Sequence, residues 1–331
     1  MKVYTRSTVA ITVLAMCLAL AGTAAAKGKK YGLFVGINNY PAPTNTLYGA
    51  VNDAKNMKSL LETKFAFLPA NDVILTDQQA TRAAILSNLA SLGAKAGAGD
   101  MLVFQYSGHG TLFPDKYSDE VDETQKTELH VVFEDGSKLD IPSNYYDSAI
   151  CPWDLDSESS GKNWGNLILD DELYAAFAPL TAKGVQVVFI ADSCHSGSVA
   201  KAGKLAGQVR FANPFAIRKV SSFDDLRLSA PAGQKTIRAR QLPGNYLALT
   251  AAQDNEFAMD SSGAKIPSGL FTTTLINTIN ANKTPLTYAR LVSLVSPKVA
   301  ATSLTMNNNQ HPQLDGRFGN ASATIFSIPV K

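Results

Sequence analysis

Two stretches decide how this chain reads: Met101-Leu-Val-Phe-Gln-Tyr106-Ser107-Gly108-His109-Gly110 and Val185-Gln-Val-Val-Phe-Ile-Ala191-Asp192-Ser193-Cys194-His195-Ser196-Gly197. Each opens as a short, largely apolar run, the pattern of a strand buried on both faces. Each then breaks into a polar, glycine-rich turn. In open α/β sheets ligands sit outside the carboxyl ends of the strands. A thiol at one strand end and an imidazole at another can therefore meet over the top of one sheet. A cysteine peptidase needs that thiol, that imidazole and free backbone N–H groups for an oxyanion.

Working outward, strands alternate with helices. Tyr31 to Ile37 is an apolar run ending in the turn residues Asn38-Asn39-Tyr40-Pro41, and Asp72 to Thr76 is a short strand. Ala50 to Thr63 places Val51, Ala54, Met57, Leu60 and Leu61 at helical spacing. Thr81 to Ala94 is a second helix with Thr81 as its N-cap and Ile85, Leu86, Leu89 and Leu92 on one face. Asp170–Leu180, Phe271–Ile279 and Tyr288–Val299 read as helices, Val185–Ala191 and Tyr246–Thr250 as strands. The alternation predicts an α/β fold with a mainly parallel central sheet. Two segments break the rhythm. Residues 111–166 form a polar, acidic insert with a hairpin expected around Asp135-Gly136. Residues 201–244 are a long, weakly periodic connection, and loops of that length are usually functional or mobile.

The N-terminus reads as a targeting segment. Lys2 and Arg6 form a charged region before the apolar stretch Val9–Ala21, and Ala24-Ala25-Ala26 fits a cleavage rule for small residues. The expectation is a signal peptide over residues 1–26, a catalytic domain over 27–331, and export to a periplasm or the cell exterior. No later apolar run is long enough to span a bilayer, so no membrane association is expected after cleavage. Lys and Arg number 30 against 28 Asp and Glu; without Lys2 and Arg6 the charge is balanced. That removes the basic surplus of a nucleic-acid binder and the polybasic run of a membrane-surface protein. With 45% hydrophobic and 18% charged residues the chain is globular and not disordered. Without Cys17, only Cys151 and Cys194 remain. They either pair in an oxidising compartment or one of them is a reactive thiol.

Four histidines narrow the choice of base. His195 follows Cys194 directly, so the two side chains diverge. His130 lies in the expected hairpin and His311 in a late polar loop. His109 alone leaves a core strand into a glycine turn, which marks it as the candidate against the plain alternative of a satisfied core histidine.

Ser107-Gly108-His109-Gly110 and Asp192-Ser193-Cys194-His195-Ser196-Gly197 together resemble the two catalytic motifs of the metacaspases and their bacterial caspase-like relatives, the caspase-fold cysteine peptidases. The likeness extends to Gly36-Ile37-Asn38-Asn39-Tyr40, Val51-Asn52-Asp53-Ala54, Leu75-Thr76-Asp77, Leu169-Asp170-Asp171-Glu172-Leu173, Gly269-Leu270-Phe271-Thr272 and His311-Pro312-Gln313-Leu314. The resemblance implies a caspase-like three-layer α/β/α sandwich. It implies Cys194 as nucleophile, His109 as general base and acid, and the N–H groups of Gly110 and Cys194 as an oxyanion hole. No third triad member is evident. A thiolate–imidazolium pair would attack at neutral pH, and Cys151 is then a structural thiol.

The resemblance also implies a substrate class. Asp53 and Asp192, with Ser107, match positions lining the P1 pocket of metacaspases, which cut after Arg or Lys. Two carboxylates are a natural bidentate cradle for a guanidinium. The expected partners are protein or peptide substrates with Arg or Lys at P1, and the expected assembly is a monomer. Nine Lys and Arg residues between Lys201 and Arg240 make self-processing there an expectation. The chemistry calls for no cofactor. For calcium, Asp154, Asp170 and Asp171 match three of four metacaspase ligands, but Lys201 stands at the fourth and Asp156 or Glu158 would have to substitute. Rival readings are another P1 preference, Asn or Asp, or a non-catalytic binding protein on the same fold.

Overall fold

The computed structural model describes residues 28–42, 44–114, 129–132, 138–141, 146–155, 166–194, 208–212, 242, 244–253, 256–260, 266–315 and 320–328. The expected signal segment, the hairpin turn at Asp135-Gly136, and Lys201 and His195 lie outside these residues. The strands are β1 (Lys30–Gly36), β2 (Asp72–Thr76), β3 (Met101–Ser107), β4 (Gly110–Pro114), β5 (Leu129–Val132), β6 (Lys138–Ile141), β7 (Tyr146–Ile150), β8 (Ile168–Leu169), β9 (Gln186–Asp192), β10 (Gln208–Val209), β11 (Tyr246–Thr250), β12 (Met259–Asp260) and β13 (Gln313–Asp315). The helices are α1 (Ala50–Phe65), α2 (Arg82–Lys95), α3 (Asp170–Ala182), α4 (Leu270–Ala281) and α5 (Tyr288–Leu304).

The main sheet runs β2-β1-β3-β9-β11-β13. Its pairs are parallel except for β13, which closes the edge antiparallel to β11. Strand order reverses at β1, with β2 on one side and β3 on the other. Right-handed crossovers then send α1 and α2 to opposite faces. α1 packs on β1, β2 and β3 with α4 beside it and α5 against α4 and β13, while α2 and α3 pack on β1, β3 and β9. This is the mainly parallel sheet expected from the alternation, in the three-layer sandwich that the resemblance implies. The central position of β3 explains its composition: every residue from Met101 to Ser107 is buried. Phe104, Phe177 and Phe189 interlock beneath it at centroid distances of 5.3 to 6.3 Å.

Helix starts follow local chemistry. The Thr81 hydroxyl accepts the Ala84 N–H at 3.1 Å, capping α2. Glu172 in the first turn of α3 accepts from Leu169 N and pairs with both terminal nitrogens of Arg82, which ties α3 to α2. The acidic insert is more ordered than its polarity suggested. β4, β7 and β8 form a small antiparallel sheet, and β5 and β6 pair as an antiparallel hairpin. Within the 201–244 connection, β10 pairs antiparallel with β12. These short strands carry too few residues for a periodicity signal. Among the described residues, no helix is long and apolar enough to cross a membrane.

Candidate active site

The register of β3 on β9 places Ser107 opposite Asp192. His109 and Cys194 each follow two residues later, so they leave the sheet side by side, near the strand-order reversal where α/β sheets bind ligands. The His109 peptide is fixed by two tyrosines. Tyr40 Oη accepts the His109 N–H at 2.9 Å, and Tyr106 Oη donates to the His109 carbonyl at 2.6 Å. The two hydroxyls lie 3.1 Å apart, and the Tyr40 ring lies against the imidazole with centroids 4.8 Å apart. His109 Nε2 lies 2.7 Å from the Asn45 carbonyl oxygen. A carbonyl only accepts, so the Nε2 carries the proton and Nδ1 is the basic nitrogen. Nδ1 is buried and has no hydrogen-bond partner in normal geometry. The group that orients the imidazole is thus a backbone carbonyl, which no side-chain motif announces.

Cys194 Sγ accepts from Ala258 N at 2.9 Å and donates to Ala258 O at 3.5 Å. Burial pushes this thiol up to about 12 and pushes the His109 imidazolium down to about 4, with the Arg210 charge adding to the latter. In this covered state the pair is a neutral thiol and a neutral imidazole, not the ion pair expected from the sequence. The reason is desolvation, which disfavours both charged forms. Cys194 in the intact chain should therefore alkylate slowly with iodoacetamide at pH 7. The rate should rise steadily toward pH 12 instead of levelling off near neutrality. Mass-spectrometric mapping of the labelled cysteine measures it.

What covers the pair is the chain itself. Gly110 N and Cys194 N, the two donors expected of an oxyanion hole, converge on one carbonyl oxygen, that of Arg210, at 2.9 and 3.2 Å. Gly110 must be glycine for this, because a Cβ there would lie 1.8 Å from the Cys194 carbonyl oxygen. Upstream of Arg210, β10 lies along β12, and Arg210 N donates to Ala258 O at 3.0 Å. Downstream, Ala212 N donates to Gly110 O at 2.9 Å and Thr111 Oγ1 to Ala212 O at 2.8 Å. The segment 208–212 is held by backbone hydrogen bonds on both sides of the Arg210–Phe211 peptide bond.

The Arg210 side chain is fully buried among carboxylates. Its Nη2 lies 2.6 Å from Asp53 Oδ2 and 3.1 Å from Asp260 Oδ1, and its Nη1 lies 3.1 Å from Asp192 Oδ1. Each acid is held in turn by backbone N–H groups. Asp53 accepts from Gly269 N, and Asp192 Oδ2 accepts from Thr272 N and Oγ1 at the start of α4. Burial pushes Asp53 up to about 7 against the pull of Arg210. For Asp260 burial also acts upward, but Arg210 and the Tyr48 and Gly49 N–H groups outweigh it and hold the carboxyl below its ordinary value. The three carboxylates keep the Arg210 guanidinium firmly protonated against its own desolvation.

Sequence reasoning placed Asp53 and Asp192 at this pocket, and the fold brings them together. It missed Asp260, Asn45 and the role of Arg210, because each meets the site only through tertiary contact. Ser107 is buried, but its hydroxyl accepts from Gln105 Nε2 at 2.8 Å and makes no hydrogen bond to the guanidinium. Asp154, Asp170 and Asp171 are engaged in contacts with backbone N–H groups, while Asp156, Glu158 and Lys201 lie outside the described residues. Asp154 Oδ1 accepts from Arg82 N, Asp170 Oδ2 from Ser148 N and Asp170 Oδ1 from Asp171 N. Among the described residues no three His, Cys, Asp or Glu side chains could hold a metal. Asp154 meets the start of α2 and Asp170 the start of α3, where the dipole favours an acid. Cys151 and Cys194 are both free and buried. The Cys151 peptide instead bonds to the tyrosine pair that holds His109.

Comparison with known proteins places this geometry in a group. A family model described as metacaspase, peptidase C14 domain, matches residues 30–202. The chain is 27% identical over 318 residues to Metacaspase-1A of Aspergillus niger, covering 87% of this chain and 70% of that one. It is 34% identical over 178 residues to Metacaspase-1 of Arabidopsis thaliana, covering 52% of this chain but only 40% of the relative. Among solved structures, a Geobacter sulfurreducens protein superposes with TM-score 0.57 at 20% identity, covering 91% of this chain and 99% of that one. Caspase-1 of Spodoptera frugiperda superposes with TM-score 0.52 at 13% identity, covering 89% and 88%. At these identities the solved structures speak to the fold alone.

Proposed function

This chain belongs to the metacaspase peptidase C14 family and is a caspase-fold cysteine peptidase, and from that premise we propose that it hydrolyses peptide bonds after Arg or Lys, its own Arg210–Phe211 bond among them. The observation that carries the reading is the seating of Arg210. One residue has its carbonyl oxygen on the two N–H donors beside the nucleophile and its guanidinium among three carboxylates. Those are the two positions a P1 residue must fill at once.

The chemistry follows from these groups. His109 Nδ1 takes the Cys194 thiol proton as Sγ attacks the carbonyl carbon, and the Gly110 and Cys194 N–H groups hold the developing oxyanion. Collapse breaks the C–N bond, and the proton on Nδ1 passes to the leaving amine. A thioester to the P1 residue remains. Water then attacks it with His109 as base, releasing a carboxylate and restoring the thiol. Every proton is exchanged among Cys194, His109, water and substrate, so the reaction needs no cofactor. Calcium dependence is a separate question, answered by running the assay with and without the ion.

The proposal extends to where the protein works. The charged and apolar composition of residues 1–26 supports export to a periplasm or the cell exterior, with the mature enzyme acting as a monomer on protein or peptide substrates. Intact-mass measurement of secreted protein and its elution volume on a sizing column check both.

The deciding experiment is a set of fluorogenic peptides differing only at P1. Arg and Lys peptides should be cut, and Asp and Asn peptides left intact. Asp53→Asn and Asp192→Asn should each lower kcat/KM on the Arg peptide. Truncating one partner of a buried charge pair costs about 2–5 kcal/mol, roughly 30- to 4,000-fold. Wild-type rates in both variants would remove these acids from the pocket. A protein that cuts none of the peptides would favour a non-catalytic binding protein.

A further inference from the structure

We propose that Asp260 is a third specificity-determining carboxylate of the P1 pocket, and that it makes the pocket read the two-armed guanidinium of Arg in preference to the single ammonium of Lys. The inference rests on the reading of Arg210 as an occupant of the P1 site.

The geometry separates two anchoring stations. Nη1 of Arg210 bonds the Asp192 carbonyl oxygen at 2.9 Å and lies 3.1 Å from the Asp192 carboxylate. Nη2 is shared by Asp53 Oδ2 at 2.6 Å and Asp260 Oδ1 at 3.1 Å. A planar guanidinium fills both stations with its rigid fork. An ammonium is one point charge on a flexible stem and fills one. With Lys in place, at least one buried carboxylate keeps its charge without a partner, and burying an unpaired charge is costly.

Asp260 is built to hold its part. Its Oδ2 accepts from Tyr48 N at 2.6 Å and from Gly49 N at 3.1 Å, just ahead of α1. This leaves Oδ1 for the guanidinium. A Cβ on Gly49 would lie 2.3 Å from Oδ1, so glycine there admits the carboxylate. Asp260 also belongs to β12, whose backbone pairs with β10. One strand thus carries both the main-chain register of the occupant and one acid that reads its side chain. Asp53 and Asp192 come from α1 and β9, so Asp260 is the acid whose position is tied directly to the bound strand.

The test compares kcat/KM on matched Arg and Lys peptides for wild type and Asp260→Asn, which keeps the shape and removes the charge. Wild type should favour Arg. Asp260→Asn should lose on the order of 10- to 100-fold on Arg, the worth of one charge-assisted hydrogen bond, and change less than about threefold on Lys. A merely structural role would lower both equally and leave the ratio unmoved, which would overturn the inference. An unchanged Arg rate would overturn it too. If Asp260→Asn fails to fold, wild type is assayed with symmetric dimethylarginine at P1, which keeps the charge and replaces one N–H of each arm by a methyl group. Cleavage as fast as with Arg would show that the fork is not read. If wild type cuts neither Arg nor Lys peptides, the reading of the site itself has failed. If it cuts both alike and Asp260→Asn preserves the ratio, only the role of Asp260 has.

Discussion

Purified full-length protein held in dilute solution should convert to two fragments, the second beginning at Phe211, while Arg210→Gln stays whole. The bond already has its carbonyl on the two oxyanion donors and its side chain among Asp53, Asp192 and Asp260. No diffusion step is needed, so the rate should be first order and independent of protein concentration. Tethering raises the local substrate concentration to the order of millimolar or above. Gln is polar but shorter than Arg and brings no charge, so three carboxylates lose their cation. Breaking a buried pair in this way costs about 3–5 kcal/mol, which leaving the pocket avoids. Eight other basic residues lie between Lys201 and Arg240. If the first new N-terminus maps to one of those, or if Arg210→Gln is cut at the wild-type rate, the seated bond is not the processed one. Arg210→Lys should be cut more slowly than wild type.

Cys194→Ala should abolish both peptide turnover and self-cleavage, and His109→Ala should lower both by about 10²- to 10⁴-fold, the usual worth of a positioned acid–base. Neither change should unfold the protein. Cys194→Ala removes one atom from a site whose surrounding hydrogen bonds are backbone. His109→Ala leaves the Tyr40 and Tyr106 bonds in place, because they grip the peptide and not the ring. The ring bond lost is the one to Asn45 O. Turnover and thermal unfolding of the same preparations separate chemistry from stability. Normal turnover by Cys194→Ala would sink the mechanism.

The sandwich was legible because its signals are local. β3 and β9 announce themselves as apolar runs of strand length, and α1, α2, α3, α4 and α5 by helical spacing, to within a few residues at each end. The small sheet of β4, β7 and β8 was hidden in a segment read as polar insert, since two- to five-residue strands paired across the chain leave no periodic trace.

The catalytic pair divides the same way. Sequence alone determined that His109 and Cys194 each follow a core strand, because a buried strand followed by a glycine turn is written in consecutive residues; that the two strands are neighbours is set by the pairing of β3 with β9. The resemblance added that acids belong near them, through Asp53 and Asp192. Only the tertiary structure decided the rest. Asp260 reaches the pocket from β12 across the gap at Gly49. The imidazole is oriented by the Asn45 carbonyl, a group every residue carries. Among the described residues of the long connection, Arg210 is seated on the oxyanion donors. The neutral state of thiol and imidazole follows from that seating, because it excludes water. Backbone groups and desolvation have no residue type of their own, so they become visible only once the chain has closed over itself.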